Sequence, residues 1–233
     1  MSKKGKIWFT FLGGDPPECP NFIDPYAFAW ADKIEQNSPI IKEEILDFLE
    51  HHSEFLKPYF NKELMSGKAK WKALSFIFWG NKLRRNCGLC PKTVKIMSHV
   101  PGLVNLSISL LEPNTEIPRH RGVTNAVIRA HLGIYVTAGL PDCGICVGDE
   151  ERGWAENKLL FFNDCNYHHV WNKTNEKRIV LIFDFVLPEF MEKKRSLNFI
   201  FGAHLIAEVV MKRLPLLRSA IYFVLTPILK LKK

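Results

Sequence analysis

The chain has 233 residues, of which 47% are hydrophobic and 12% aromatic, so it can bury a sizeable core and a mainly disordered state is excluded. The formal charge of +8 is concentrated at the C-terminus, because nine Lys and Arg residues and one acid follow residue 192 and residues 1–192 are formally neutral. A neutral body argues against a nucleic-acid partner, and six cysteines are too few for a disulfide scaffold, so we expect a cytoplasmic protein.

The first sixty residues predict a helical start. The apolar run at 7–12 is short and is followed by Gly and Pro, which is too weak for a typical secretory signal. Residues 21–60 are expected to be mostly helical, because Asn37-Ser38-Pro39 is a helix-start signal ahead of apolar positions at helical spacing.

The pattern then changes from helix to strand. A strand is expected at 70–79, a loop at 81–91, and a short helix from Pro91 to about His99. Further short β-type runs follow at 103–111, 126–136, 143–148, 158–162, 168–172 and 179–186. Turns rich in Gly, Pro, Asn and Asp separate them, which favours a barrel or sandwich over βαβ units.

These elements predict a mainly β fold, with a jelly-roll core at about 70–190 and helices at both ends. We expect one domain at 1–192 and a separate basic, amphipathic helical tail at 193–233. The tail has apolar helical segments at 197–210 and 214–229, and no uncharged run long enough to span a bilayer. Peripheral contact with an anionic membrane through 196–233 and a helical hairpin packed on the barrel or on a second copy both stay open.

Two histidines in strand-like sequence are the candidate metal ligands. His120 lies in the segment 112–122, and His168 lies in the apolar segment 161–172. Arg178 follows in the next apolar run, where its guanidinium could grip a carboxylate with two parallel bonds. A non-haem iron site usually adds one carboxylate. Position 122, two residues after His120, is glycine, so these residues alone leave a metal site unproven.

The cysteines offer a rival metal site. Cys87 and Cys90 form one C-x-x-C pair, and Cys143 and Cys146 form a second. Two such pairs could close a tetrahedral zinc site. The other interpretation is that they are small buried side chains with free thiols.

The order and spacing of many residues resemble the aspartyl/asparaginyl β-hydroxylase family of Fe(II)- and 2-oxoglutarate-dependent dioxygenases, which includes hydroxylases of lipid acyl chains. The similarity runs from about residue 20 to 190. The matching motifs are Pro91-Lys92-Thr93, Ser109, Glu112-Pro113-Asn114-Thr115, His120-Arg121-Gly122-Val123-Thr124-Asn125, Arg129-Ala130-His131-Leu132-Gly133, Gly148-Asp149-Glu150, Trp154, Phe162-Asn163-Asp164, His168-His169-Val170-Trp171-Asn172 and Arg178.

The resemblance implies a double-stranded β-helix and a role for each site residue. His120 and His168 would ligate iron, without a third acidic ligand, because the family has glycine where Gly122 stands. Arg178 and Ser109 would bind the distal carboxylate of 2-oxoglutarate, and His131 the carboxylate nearer the metal. Arg129 would face an acidic substrate group. His169 is expected to be structural, because neighbours on a strand point to opposite faces.

We therefore expect an enzyme that couples 2-oxoglutarate and O2 to hydroxylation of an unactivated C–H bond, on a membrane lipid or a peptidyl Asp/Asn. With only two neutral ligands from the protein, iron is expected to bind weakly without 2-oxoglutarate. The alternative is a non-catalytic jelly-roll binding module, anchored to a membrane or a partner by its tail.

Overall fold

The computed structural model describes residues 5–59 and 70–213, with the backbone alone given for 205–213. The beginning of the chain before residue 5 and the expected helical segment at 214–229 lie outside the described residues.

Five α-helices and twelve strands are present in this part of the chain. The helices are α1 (Ala31–Gln36), α2 (Ser38–His52), α3 (Arg84–Cys87), α4 (Pro91–Met97) and α5 (Lys194–Arg213). The strands are β1 (Phe22–Ile23), β2 (Lys57–Pro58), β3 (Trp71–Phe78), β4 (Asn81–Lys82), β5 (Leu103–Leu111), β6 (Thr115–His120), β7 (Val127–Tyr135), β8 (Cys143–Val147), β9 (Glu150–Arg152), β10 (Leu159–Phe162), β11 (His168–Asn172) and β12 (Arg178–Val186).

The strands form two antiparallel sheets. The larger sheet has the order β1-β10-β7-β12-β5-β3-β2, with β4 beside β3, and the smaller has the order β6-β11-β8-β9. From β5 to β12 the chain passes back and forth between the two sheets, which is the winding of a double-stranded β-helix. The expected jelly roll is confirmed.

The two faces of the larger sheet have different functions because side chains alternate along each strand. On β7, Ile128, Ala130 and Leu132 join a buried apolar cluster with residues of α2. Arg129 and His131, which alternate with them, line a cavity between the sheets. One face of this sheet is therefore packed against the helices, and the other combines polar residues with a second buried apolar cluster.

Helix α2 starts where the sequence indicates, with Ser38 as its first residue and Pro39 in its first turn. Its buried residues Ile41, Ile45 and Phe48 follow helical spacing and cover the outer face of the larger sheet. The expectation of a mostly helical 21–60 is only partly met, because Phe22–Ile23 and Lys57–Pro58 add two-residue strands to opposite edges of that sheet.

Two other local expectations need correction. The segment expected as a loop at 81–91 contains α3, whose Asn86 side chain donates a hydrogen bond to the backbone oxygen of Ser75. The turn expected between the runs at 143–148 and 158–162 is interrupted, because Glu150–Arg152 forms β9 and pairs with β8. Gly148, at φ +62°, makes the reversal.

The first turns of helix α5 pack against the β domain. Leu197 and Phe201 are buried in a cluster with Trp79, and the Phe201 and Trp79 rings stack with centroids 3.7 Å apart. Phe199 on the same helix is 77% exposed. Within the described residues, none of the helices combines the length and the apolar character needed to cross a bilayer.

Candidate functional site

His120 and His168 lie together at one end of the space between the sheets. His120 is the last residue of β6 and His168 the first of β11, and these two positions face each other in the antiparallel register. Their ring centroids are 4.2 Å apart. The register shifts between His168 and Val170, and such a bulge re-aims side chains locally.

Both imidazoles are oriented by the backbone of the residue two positions earlier. Nδ1 of His120 lies 2.8 Å from the oxygen of Pro118, and Nδ1 of His168 lies 2.9 Å from the oxygen of Asn166. A carbonyl only accepts, so each Nδ1 carries the proton and each Nε2 has a free lone pair. Burial lowers the pKa of both histidines, most strongly for His168, which keeps them neutral. Neutral imidazoles with a free Nε2 are the form that ligates a metal.

The carboxylate of Asp164 occupies the space beside Gly122. A Cβ on Gly122 would lie 1.7 Å from Oδ2 of Asp164, so only glycine leaves room for that carboxylate. Oδ1 of Asp164 lies 3.5 Å from Nε2 of His168. The buried carboxylate next to the two histidines therefore comes from the loop after β10, and not from position 122.

Asp164 was not singled out from the sequence as a site residue. It was noted only as part of a matching motif. A signal was available, because a carboxylate four residues before a candidate ligand, in a strongly apolar stretch, requires a partner.

Arg129 is bound by two carboxylates of the protein. Its Nε and Nη2 donate to the two oxygens of Asp184, at 2.8 and 2.9 Å, and its Nη1 lies 2.7 Å from Oδ1 of Asp164. Burial disfavours its charge, but Asp164 and Asp184 outweigh this and raise the pKa of Arg129. Its guanidinium thus links β7, β12 and the loop that carries Asp164.

Arg178, the first residue of β12, lacks such carboxylate partners among the described residues. It is 3% exposed, and within the described residues its Nε and Nη1 have no hydrogen-bond partner. Burial lowers the pKa of Arg178 to about 10. Its guanidinium carbon lies 4.6 Å from the centre of the Trp154 ring. Burying a guanidinium without an anion destabilises the folded protein unless a ligand supplies the anion.

His131 and Ser109 add donors beside Arg178. Nε1 of Trp154 donates to Nδ1 of His131 at 3.1 Å, so the proton of this neutral ring is on Nε2, which has no partner among the described residues. Burial and then the charge of Arg178 lower the pKa of His131 well below its usual value. Ser109 accepts from Nε1 of Trp71 at 3.0 Å, which leaves its own hydroxyl proton available to an acceptor.

All six residues singled out from the sequence line one narrow cavity of about 30 Å³ between the sheets. They are Ser109, His120, Arg129, His131, His168 and Arg178. His169 points elsewhere, with its ring beside Trp171. The lining combines two free imidazole lone pairs with a cation and two neutral donors, which are the groups that a metal ion and an anion beside it would need.

A second cavity of about 390 Å³ lies further along the inner face of β3 and β5. Ser75 and Ser107 form its floor, and Phe55, Lys57 and Arg85 lie at its walls. Ser107 is two residues from Ser109 on the same face of β5, so the two cavities are lined by neighbouring positions of one strand.

The structure does not bring the two cysteine pairs together. Cys87 and Cys90 pack in the apolar cluster on the helical face, and Cys143 lies between the sheets. Among the described residues, no three His, Cys, Asp or Glu side chains are grouped as a metal site. The zinc hypothesis therefore has no support in this part of the chain.

The model of the family Aspartyl/Asparaginyl beta-hydroxylase matches residues 35–188. The chain is 34% identical over 180 residues to an ornithine lipid ester-linked acyl 2-hydroxylase of Rhizobium tropici, covering 75% of this chain and 62% of that protein. It is 29% identical over 203 residues to aspartate beta-hydroxylase domain-containing protein 2 of Mus musculus, covering 83% and 58%. It is 26% identical over 167 residues to the human aspartyl/asparaginyl beta-hydroxylase, covering 70% and 22%. The chain thus spans 62% or less of the length of these relatives.

Proposed function

The chain belongs to the aspartyl/asparaginyl beta-hydroxylase family, and on that premise we propose that it hydroxylates an unactivated C–H bond with Fe(II), 2-oxoglutarate and O2. The observation that carries the proposal is the buried guanidinium of Arg178, whose Nε and Nη1 have no hydrogen-bond partner among the described residues. It lines the same cavity as two histidines with free Nε2 atoms. A structural arginine would have an anion among its protein neighbours, as Arg129 does. Arg178 therefore fits the distal carboxylate of a dianionic co-substrate.

The protein's part in the chemistry is to bind and orient. Nε2 of His120 and Nε2 of His168 would hold the metal, and Arg178, Ser109 and Nε2–H of His131 would hold the two carboxylates of 2-oxoglutarate. When bound, iron and 2-oxoglutarate supply the oxidising chemistry that no side chain can supply. Because the cavity holds little more than a water molecule, its lining side chains must move apart to admit the co-substrate.

Arg129 and Asp164 act at the other side of the histidines. The resemblance assigns Arg129 to an acidic substrate group, but its bonds to Asp164 and Asp184 favour a positioning role. By holding Asp164 beside His168, Arg129 keeps a hydrogen-bond acceptor next to the metal position. The carboxylate would accept a hydrogen bond from a water molecule there and orient that molecule.

For the substrate we propose a lipid acyl chain attached to an anionic headgroup. The relative from Rhizobium tropici is named as an ester-linked acyl 2-hydroxylase, and the second cavity suits such a molecule. Its volume lies in the range of small-molecule sites. Phe55 and Leu74 give it apolar wall, and Lys57 and Arg85 give it positive charge for a headgroup. A peptidyl Asp or Asn is the second substrate class.

We also propose peripheral contact with an anionic membrane for a protein located in the cytoplasm. The exposed ring of Phe199 on α5, and the basic residues concentrated after residue 192, support this contact.

Uncoupled turnover of 2-oxoglutarate tests the chemistry without knowledge of the substrate. Purified protein with Fe(II), 2-oxoglutarate and O2 should form succinate, and His168→Ala should lower the rate at least about 100-fold because it removes a ligand. His169→Ala is the matched control, since the neighbouring ring points away from the cavity, and it should keep most of the rate. Succinate is measured by mass spectrometry.

The absence of succinate from the wild-type protein would favour the alternative, a non-catalytic binding module. Equal loss in both histidine variants would show that His168 has no special role.

A further inference from the structure

Two thiols that the proposed chemistry does not use lie in contact at the loop 163–168, which leads into the proposed metal ligand His168. Sγ of Cys19 and Sγ of Cys165 are 3.5 Å apart, although 146 positions separate them in the chain, and both are free thiols. Cys165 is buried and Cys19 is partly exposed. A disulfide needs the sulfurs about 2.05 Å apart, so about 1.5 Å of movement separates the pair from a bond.

The chain around each thiol is held to the other. The side chain of Asn163 donates to the oxygen of Pro20 at 2.5 Å, and the side chain of Asn166 donates to the oxygen of Cys19 at 3.2 Å. The backbone nitrogen of Asn163 donates to the oxygen of Asn21 at 3.0 Å. These bonds keep the two thiols facing each other, so their contact is a property of the fold.

The position of Cys165 connects this pair to the proposed metal site. Its preceding neighbour, Asp164, lies beside His168 and pairs with Arg129. Its following neighbour, Asn166, supplies the carbonyl that orients His168. A shift of Cys165 therefore moves both groups that position a candidate ligand.

We propose that Cys19 and Cys165 are a modification site, at which hydrogen peroxide forms a reversible disulfide that fastens the N-terminal segment to the loop at 163–168. The Cys19 thiolate attacks one oxygen of the peroxide, the O–O bond breaks, and a sulfenic acid and hydroxide form. The Cys165 thiol then attacks the Cys19 sulfur, the S–S bond forms and the S–O bond breaks. The departing oxygen takes up the proton of Cys165 and leaves as water, and the hydroxide of the first step takes up the proton that Cys19 lost. Two thiols are thus oxidised to a disulfide as one peroxide is reduced to two waters.

The two thiols differ in the way this sequence requires. The hydrogen bond from Cys165 lowers the pKa of the Cys19 thiol, and the partly exposed Cys19 is the one that peroxide can reach. The same bond, together with burial, raises the pKa of Cys165. Cys19 is thus suited to the first attack, and Cys165 is placed for the second because its sulfur lies 3.5 Å from that of Cys19.

The first measurement needs neither metal nor substrate. The full-length protein, without iron, is treated with hydrogen peroxide, and its peptides are analysed by mass spectrometry before and after dithiothreitol. We expect a Cys19–Cys165 cross-link in most molecules, lost on reduction, and a thermal unfolding midpoint raised by about 5 °C or more in the oxidised protein. Cys19→Ser should show neither effect, and Cys87→Ser, a partly exposed thiol elsewhere, should show both.

Sulfinic acid at Cys19 without a cross-link, or a cross-link at another pair, would overturn the proposal. If Cys19→Ser is poorly folded, Cys165→Ala serves the same purpose.

The second measurement rests on the proposed function. Oxidised wild-type protein should form succinate about tenfold more slowly than reduced protein, because a displacement near 1 Å at a positioning loop is costly, and Cys19→Ser should be insensitive to oxidation. A cross-link with an unchanged succinate rate would overturn the connection to the proposed metal ligand His168. A cross-link in a protein that never forms succinate would leave the modification site standing and refute the proposed chemistry.

Discussion

Arg129 and Arg178 lie in one cavity on neighbouring strands of the same sheet, yet their surroundings are opposite. Arg129, about a quarter exposed, is bound by Asp164 and Asp184. Arg178, only 3% exposed, has no carboxylate partner among the described residues. The pKa of Arg129 is raised and that of Arg178 is lowered to about 10. The more deeply buried cation is the one without an anion.

This difference separates a structural cation from a ligand-binding one. The charge of Arg129 is balanced within the protein, so its removal should harm the fold. The charge of Arg178 is unbalanced until an anion enters, so its removal should harm binding and spare the fold. Variants of the two residues can therefore contradict or support the structural role of Arg129 and the ligand-binding role of Arg178.

The largest effect on stability is expected for Arg129→Met. This change leaves Asp164 and Asp184 buried and unpaired, and we expect the free energy of unfolding to fall by about 3 kcal/mol, near the lower limit for buried pairs because Arg129 is partly exposed. Urea unfolding of the metal-free protein measures it. Arg84→Met, at an exposed position on α3, is the control and should change stability by less than about 0.5 kcal/mol. A loss below about 1 kcal/mol for Arg129→Met would contradict the structural role.

Arg178→Met should give the reverse result. The metal-free variant should be as stable as the wild type or more so, because an unpaired buried charge has been removed. Its dissociation constant for 2-oxoglutarate should rise about 10- to 100-fold, the value of charge-assisted hydrogen bonds to a carboxylate. The stabilisation by 2-oxoglutarate in thermal unfolding, with Zn(II) as an inert metal, reports this affinity.

Arg178→Lys sharpens the test, since it keeps the charge and loses the two parallel bonds. An affinity between those of the wild type and Arg178→Met is expected. Equal stabilisation of all three proteins by 2-oxoglutarate would show that the anion binds elsewhere.

The sequence predicts most of the long strands and most residues of the candidate site, for a physical reason. Strands such as β5 and β11 show their alternation and turn residues locally, and both were predicted with the ends that the structure gives them. The short strands β1, β2 and β9 could not be predicted in this way. Two or three residues have no period of their own and become strands only by pairing with a neighbour.

The partners of the two arginines could not be predicted either. Asp164 and Asp184 lie 35 and 55 positions after Arg129, and only the sheet register brings them to it. The resemblance suggested a substrate-facing role for Arg129 because a motif identifies a residue type and not its contacts. For Arg178 the sequence indicates the burial, because the residue lies in an apolar run, and the structure adds that no carboxylate among the described residues pairs with it.

The smallest effect is a dependence of stability on pH. His120, His131 and His168 are held neutral in the folded protein, in each case first by burial, so each binds a proton less readily than in the unfolded chain. The unfolded chain therefore takes up more protons as the pH falls through about 6.5, and stability should fall between pH 7 and pH 6 by roughly 0.7 kcal/mol for each such histidine. The exposed-site variant Arg84→Met should lose as much stability over this interval as the wild type. Urea unfolding of the metal-free proteins at the two pH values measures the difference, and a stability that rises on acidification would show that these rings are not buried in their neutral form.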